Sequence, residues 1–212
     1  MRSVLLVDDH AVVRKGLKAI LEDDFSSILV DEAAGGHECI DCLRHRETEA
    51  VVLDINLPDM NGLEVLKRIK AEWPLIPVLI LSIYSEDQYG VRMMRAGASG
   101  YLAKSSAPEH LVTALQKILD GKRYLSSPLA SQLAEKMKIK SAKEPEEKLS
   151  DREYQIFQLL ISGKTVTEIA QQLSLSVKTI STHRKHILTK MGMQTNAELV
   201  SYAQSRDLIK IA

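Results

Sequence analysis

Val51-Val52-Leu53-Asp54, running on into Ile55-Asn56-Leu57-Pro58-Asp59-Met60-Asn61-Gly62, is the segment from which the fold can be built outward. Three apolar residues in a row, two of them β-branched, predict a buried strand. The run ends on an acid, and Pro58, Asp59, Asn61 and Gly62 supply turn chemistry at once. Asp54 is therefore expected at the carboxyl end of a central strand. In open parallel α/β sheets, that edge is where ligands bind.

The flanking sequence repeats this design. Val4 to Val7 predicts another strand buried on both faces, ended by Asp8, Asp9 and His10. Val12, Val13, Leu17, Ile20 and Leu21 then recur at helical spacing, with Arg14, Lys15 and Lys18 on the opposite face. Further strands are expected at 28–31, at 78–82 ending on Ser82, and at 100–103 running into Lys104. Helices are expected near 37–46, 63–72, 87–96 and 107–120. Ser106-Ala107-Pro108-Glu109 reads as a capping box with Pro in the first turn. The alternation predicts an α/β fold, a five-stranded doubly wound parallel sheet with helices on both faces.

Charge divides the chain. Lys+Arg equals Asp+Glu at 28 each, but residues 1–121 carry 13 basic and 19 acidic side chains, a net of −6. Residues 122–149 and 150–212 each net +3. An acidic first part and a basic second part predict two partners of opposite charge. The expected organisation is a first domain at 1–121, a linker at 122–148 with a helix around Leu129, Leu133 and Met137, and an all-α domain of four short helices at 149–212. The charged stretch 138–148 reads as solvated spacer. No segment reaches the roughly 18 apolar residues a bilayer span needs. The N-terminus, with one Arg and only Val4 to Val7 before two acids, does not read as a signal peptide. The expected location is the cytoplasm, with no membrane partner and with Cys39 and Cys42 reduced.

Five strand ends share one edge in such a sheet, so Asp8, Asp9, Asp54, Ser82 and Lys104 can converge. Three carboxylates do not crowd together without a cation, and a hard divalent ion such as Mg²⁺ suits oxygen ligands. With it bound, Lys104 and the Ser82 hydroxyl could stabilise a phosphoryl group on Asp54. His37, Cys39, Cys42 and His45 suggest a zinc site, but on a helix they fan over roughly 200° and do not meet one ion.

LVDDH, VVLDINLPDMNG, VLILS and GYLAK, in this order and spacing, resemble the receiver domain of two-component response regulators. The resemblance covers residues 3 to 120. It implies Asp54 as phosphoryl acceptor, and Asp9, Asp54 and the main-chain carbonyl of Asn56 as Mg²⁺ ligands with Asp8 nearby. It implies Lys104 as partner of the phosphoryl group, Ser82 and Tyr101 as the switch pair, and a sensor histidine kinase as donor. Two positions depart from the pattern. Ile83 stands where small residues are common, and Ser105 stands where Pro often follows the lysine. A phosphatase with an aspartyl intermediate would want a second acid at Asn56, so a regulator rather than an enzyme is expected.

In the second domain, residues 165–173 and 177–191 read as helix–turn–helix. Val177, Ile180, Ile187, Leu188 and Met191 form the expected apolar face of the second helix. Lys178, Thr182, Lys185 and Thr189 lie opposite, with Ser181 at the edge, as suits a major groove. Capping boxes are expected at Ser150/Glu153, Thr165/Glu168 and Thr195/Glu198, with Ser176 as a further cap. The segment from Leu149 to Gly192 resembles the LuxR-type DNA-binding domain, and the whole chain resembles the NarL/FixJ class. This implies double-stranded DNA as partner, with Ser181, Thr182 and Lys185 on bases and Lys178, Thr179 and Lys190 on phosphates. It also implies a homodimer on paired half-sites. Arg184 falls in the apolar arc and is expected to snorkel outward.

Overall fold

A computed structural model describes residues 2–84, 86–138, 144–206 and 208–209. The chain divides into two compact units, Met1–Ala134 and Glu135–Ala212. In the first, β1 (Arg2–Val7), β2 (Ile28–Ala33), β3 (Ala50–Asp54), β4 (Val78–Ser82) and β5 (Gly100–Ala103) form one sheet in the order β2-β1-β3-β4-β5. Every pairing is parallel. This is the flavodoxin-like order. Helices α1 (Ala11–Asp24), α2 (Gly36–His45), α3 (Gly62–Glu72), α4 (Glu86–Arg95) and α5 (Ala107–Leu119) connect the strands. Every residue of β3 and β4 is buried, as their unbroken apolar runs require. Leu17 and Leu21 of α1 pack with Leu111, Leu115 and Ile118 of α5 over one face of the sheet.

β2 is longer than the expected strand 28–31, pairing with β1 as far as Val7↔Ala33. Its acids are accommodated by arginines from elsewhere: Arg14 Nε lies 3.0 Å from Glu32, and Arg46 pairs with Asp31. The expected cap at Ser106 does not form. A 3-10 turn, Lys104–Ser106, runs straight into α5, leaving Ser106 with near-helical backbone angles (φ −100°, ψ −1°) and no side-chain cap bond.

The first unit extends past the expected boundary at 121. Tyr124 adds to the edge of β5: its amide donates to Ser99 O (3.0 Å) and its carbonyl accepts from Tyr101 N (3.2 Å). Leu129, at the start of α6 (Ser127–Lys138), is 1% exposed. It lies over Gly90 of α4, where a Cβ would come within 2.7 Å of Leu129 Cδ1. The Ser126 hydroxyl donates to Glu86. The helical pattern of Leu129, Leu133 and Met137 marks a helix but does not say what it packs against.

Beyond the end of α6, the described residues of the second unit form a 3-10 turn (Pro145–Lys148) and four helices, α7 (Asp151–Ile161), α8 (Val166–Gln172), α9 (Val177–Met191) and α10 (Asn196–Ser205). Of the stretch expected to be solvated spacer, 139–143 lies outside the described residues, but 145–148 is folded. Glu146 is 6% exposed and accepts from the Tyr202 hydroxyl of α10, while Arg206 pairs with Glu144 at 3.1 Å. Charge composition alone hid these partners. The boxes at Ser150/Glu153 and Thr165/Glu168 are complete. At Thr195 the hydroxyl accepts from Glu198 N, but Glu198 returns its bond to the amide of Gln194. Ser176 caps α9, and Gly192 closes it in the left-handed region at φ 70°.

Candidate functional site

Parallel pairing brings the strand ends together. Val7 is level with Leu53, so Asp8 stands beside Asp54, and Ser82 is level with Ala103, so Lys104 follows one step beyond. β1 and β3 flank the point where the strand order reverses, which is where ligands bind in this architecture. The Lys104 ammonium donates to both Asp8 Oδ2 (2.5 Å) and Asp54 Oδ2 (2.7 Å). Asp54 is 2% exposed, and Asn56 N donates to its Oδ1 at 3.2 Å. Burial is the dominant influence on Asp54 and pushes its pKa up to about 6, against the opposing pull of Lys104. Burial works against the Lys104 charge too, but Asp54 and Asp8 outweigh it and raise the lysine's pKa.

Asp8, Asp9, His10 and Asp54 each offer a ligand atom, all within 4.8 Å of one another. Three carboxylates against one ammonium leave room in the charge balance for a divalent cation, and the donors are mostly hard oxygens. The residues therefore fit a metal such as Mg²⁺. His10 was not expected in this group, although it directly follows the two acids; its Nδ1 lies 2.6 Å from Asp9 Oδ1. Arg14 was expected on a solvated face. It folds back instead, donating to the main-chain carbonyl of Asp8 at 2.6 Å.

Ser82 is fully buried and its hydroxyl accepts from Tyr84 N at 3.0 Å. Tyr101 is fully buried as well; burial pushes its phenol up, and its hydroxyl donates to Tyr84 O at 3.0 Å. Both proposed switch residues thus hold the loop that leads into α4. Ile83 in that loop is exposed. No cis peptide occurs among the described residues, Lys104–Ser105 included. The His37, Cys39, Cys42 and His45 group disperses: His37 turns to Asp59 (2.7 Å), His45 to the Asp41 carbonyl (2.8 Å), and burial raises both thiols.

In the second unit, Lys178, Ser181, Thr182, Lys185 and Thr189 of α9 are exposed, while Ile180, Ile187, Leu188 and Met191 are buried. Val177 corrects the expected apolar face, being 48% exposed. It is the first residue of α9, and its Cβ leans toward the helix N-terminus, past the end of the buried seam. Thr179 is half-buried and its hydroxyl bonds to Ser176 Oγ at 2.8 Å. Lys190, which the resemblance places on a phosphate, pairs here with Glu153 of α7, its ammonium 2.6 Å from the carboxylate. That pairing and the Ser150 amide outweigh burial and hold Glu153 below the usual carboxylate range. Arg184 escapes the apolar arc by donating to Asn196 Oδ1 at 2.7 Å.

Residues 4–116 match the response regulator receiver domain family, and residues 147–203 match the bacterial regulatory proteins of the luxR family. The chain is a two-component response regulator of the NarL/FixJ class. The regulator is 34% identical to response regulator UvrY of Escherichia coli K12 over 96% of this chain and 94% of that one. It is 33% identical to response regulator GacA of Pseudomonas aeruginosa over the full length of both. Among solved structures it resembles the Salmonella typhimurium RcsB response regulator (26% identical, TM-score 0.66, covering 97% and 98% of the two chains). It also resembles RcsB in an RcsB–DNA complex (26%, TM-score 0.58, 96% and 98%). The regulator thus joins a receiver to a LuxR-type DNA-binding domain, and acts in transcription. Among its described residues no helix is long and apolar enough to cross a membrane.

Proposed function

We propose that a sensor histidine kinase transfers a phosphoryl group to Asp54 in the presence of Mg²⁺, in the cytoplasm. This switches the chain's binding to double-stranded operator DNA, as a homodimer, and so controls transcription. The observation that carries the reading is the convergence of Asp8, Asp54 and Lys104 at the topological switch point. Asp9, Asp54 and the Asn56 carbonyl would hold the ion, with Asp8 alongside. Bound there, Mg²⁺ neutralises the carboxylates and the phosphoryl oxygens.

An Asp54 oxygen attacks the phosphorus, and the bond to the donor's imidazole nitrogen breaks with its electron pair on that nitrogen. With Oδ2 as the attacking oxygen, Lys104 loses its Asp54 partner as that oxygen joins the phosphorus in an acyl phosphate, and follows the charge onto the phosphoryl oxygens. The Ser82 hydroxyl can then turn to the same oxygens, freeing the Tyr84 amide it holds. Tyr101, bonded to Tyr84 O, carries that change toward α4. On DNA, Ser181, Thr182 and Lys185 face bases while Lys178 and Thr179 meet phosphates. Lys190 would have to leave Glu153 to join them.

The test is incubation with acetyl phosphate and Mg²⁺, following intact mass and DNA retention together. Asp54→Asn should gain no phosphoryl mass while keeping the fold. Uptake by that variant at the wild-type rate would move the acceptor elsewhere.

A further inference from the structure

The reading ridge of α9 is less polar than its composition suggests. Val177, Ser181, Lys185 and Thr189 are spaced i, i+4 and exposed along the whole row. Val177, 48% exposed, opens that row next to Lys178 in the first turn. The N-terminal end of a recognition helix is the part that enters the groove, and there the long Lys178 reaches out to a phosphate while the short Val177 stays near the base edges. Thr182 adds a second apolar point. Its hydroxyl donates to the Lys178 carbonyl at 3.0 Å, so that proton is committed to the helix's own backbone. Outward, Thr182 offers a methyl and an acceptor oxygen, but no donor. At about 100° per residue, Val177 and Thr182 flank the Lys178–Lys185 meridian on either side, about 7.5 Å apart along the axis.

We propose that Val177 and Thr182 read thymine, packing their methyl groups against thymine 5-methyl groups in the major groove on either side of Lys185. The thymine methyl is the one apolar group on a base edge there, and a Thr methyl is a recognised partner for it. An exposed Val on a DNA-facing ridge gains by that contact what it loses by standing in water. The proposal rests on the reading that α9 enters the groove with Lys185 on a base, and the two can fail separately.

The full chain, treated with acetyl phosphate and Mg²⁺, is used to select duplexes from a random pool. Each thymine of the selected duplex is then replaced by deoxyuridine, which lacks only the methyl. At one or more thymines the wild type should bind about fourfold more weakly after replacement, the worth of one buried methyl. Val177→Ala should lose that sensitivity at one position. Thr182→Ser, which keeps the hydroxyl and removes only the methyl, should lose it at another. Sensitivity to deoxyuridine nowhere, or sensitivity unchanged in both variants, overturns the proposal while leaving Lys185 as a base reader. A pool with no enriched sequence, or Lys185→Ala weakening selected and scrambled duplexes alike, overturns the groove reading itself and the proposal with it.

Discussion

Asp54→Asn should make the metal-free protein more stable, and the structure gives the size of the effect. Burial holds the Asp54 carboxyl at about 6 rather than 3.8. Each tenfold change in proton affinity is worth about 1.36 kcal/mol, so keeping this carboxylate ionised in the fold costs on the order of 3 kcal/mol at pH 8. The sign follows from linkage: a carboxyl raised in the folded state costs nothing below its unfolded value of 3.8, and the cost grows as pH rises to about 6. At pH 5 the penalty is about half as large. Asparagine keeps the shape and removes the charge, and Lys104 keeps its 2.5 Å bond to Asp8. The assay is urea unfolding of wild type and variant in EDTA at pH 8 and pH 5. The variant should lead by on the order of 3 kcal/mol at pH 8 and by about half that at pH 5. Saturating Mg²⁺ should close the gap by stabilising the wild type more. A variant less stable than wild type at pH 8 without metal would refute the reasoning, because Lys104 would then more than compensate the buried charge.

Three further expectations concern the rest of the chain. Lys178→Ala should weaken binding to all DNA alike and lower the magnitude of the salt slope by about 0.9, whereas Lys185→Ala should cost about 1–3 kcal/mol on a selected duplex and little on a scrambled one; titrations at several salt concentrations separate the two patterns. Gly90→Ala should strain the packing under Leu129, by about 1–3 kcal/mol if the neighbours cannot yield, and speed amide exchange at 124–134 while phosphoryl uptake persists; unchanged exchange there would show that Leu129 simply steps aside. A fragment of residues 144–212 should fold, bind DNA without phosphorylation and melt at a higher temperature than one of residues 150–212, because only the longer one keeps Glu146 against Tyr202; identical melting curves would remove the 3-10 turn from the folded unit.

What was legible in the sequence was whatever local pattern dictates. Apolar runs ending on Asp54, Ser82 and the residue before Asp8 placed the strands, and parallel pairing then brought those ends together. Capping at Ser150, Thr165 and Ser176 needed only neighbours three residues away. Contacts between distant side chains away from the strand ends were not legible. Asp59 accepts from the amides of Gly36 (2.8 Å) and His37 (2.9 Å), pinning the loop after β3 to the start of α2. Burial alone would raise this carboxyl, yet those bonds bring it down to about 2. Nothing within ten residues of Asp59 announces that partner. Tyr202 with Glu146, and Leu129 over Gly90, escaped notice for the same reason. Val177 was misplaced for the opposite reason: helical periodicity assigned it a face, but a face has an end, and the first residue overhangs it.

The side chains of α9 fall into two sets, and the division explains how a short helix can read DNA. One set is spoken for within the fold. Ser176 and Thr179 bond to each other at the first turn, Arg184 holds Asn196 at the start of α10, and Lys190 holds Glu153 on α7. The first tie fixes the helix's own N-terminal turn, and the other two hold its middle to α10 and its C-terminal end to α7. The other set, Val177, Lys178, Ser181, Thr182 and Lys185, faces solvent. Because the backbone beneath them is already anchored, ordering on DNA costs these residues side-chain entropy but little backbone entropy. A loop presenting the same five residues would have to be ordered as well, at about 1–2 kcal/mol per residue. Arg184 and Lys190 therefore contribute to affinity by holding the helix that presents the reading residues, through Asn196 on α10 and Glu153 on α7.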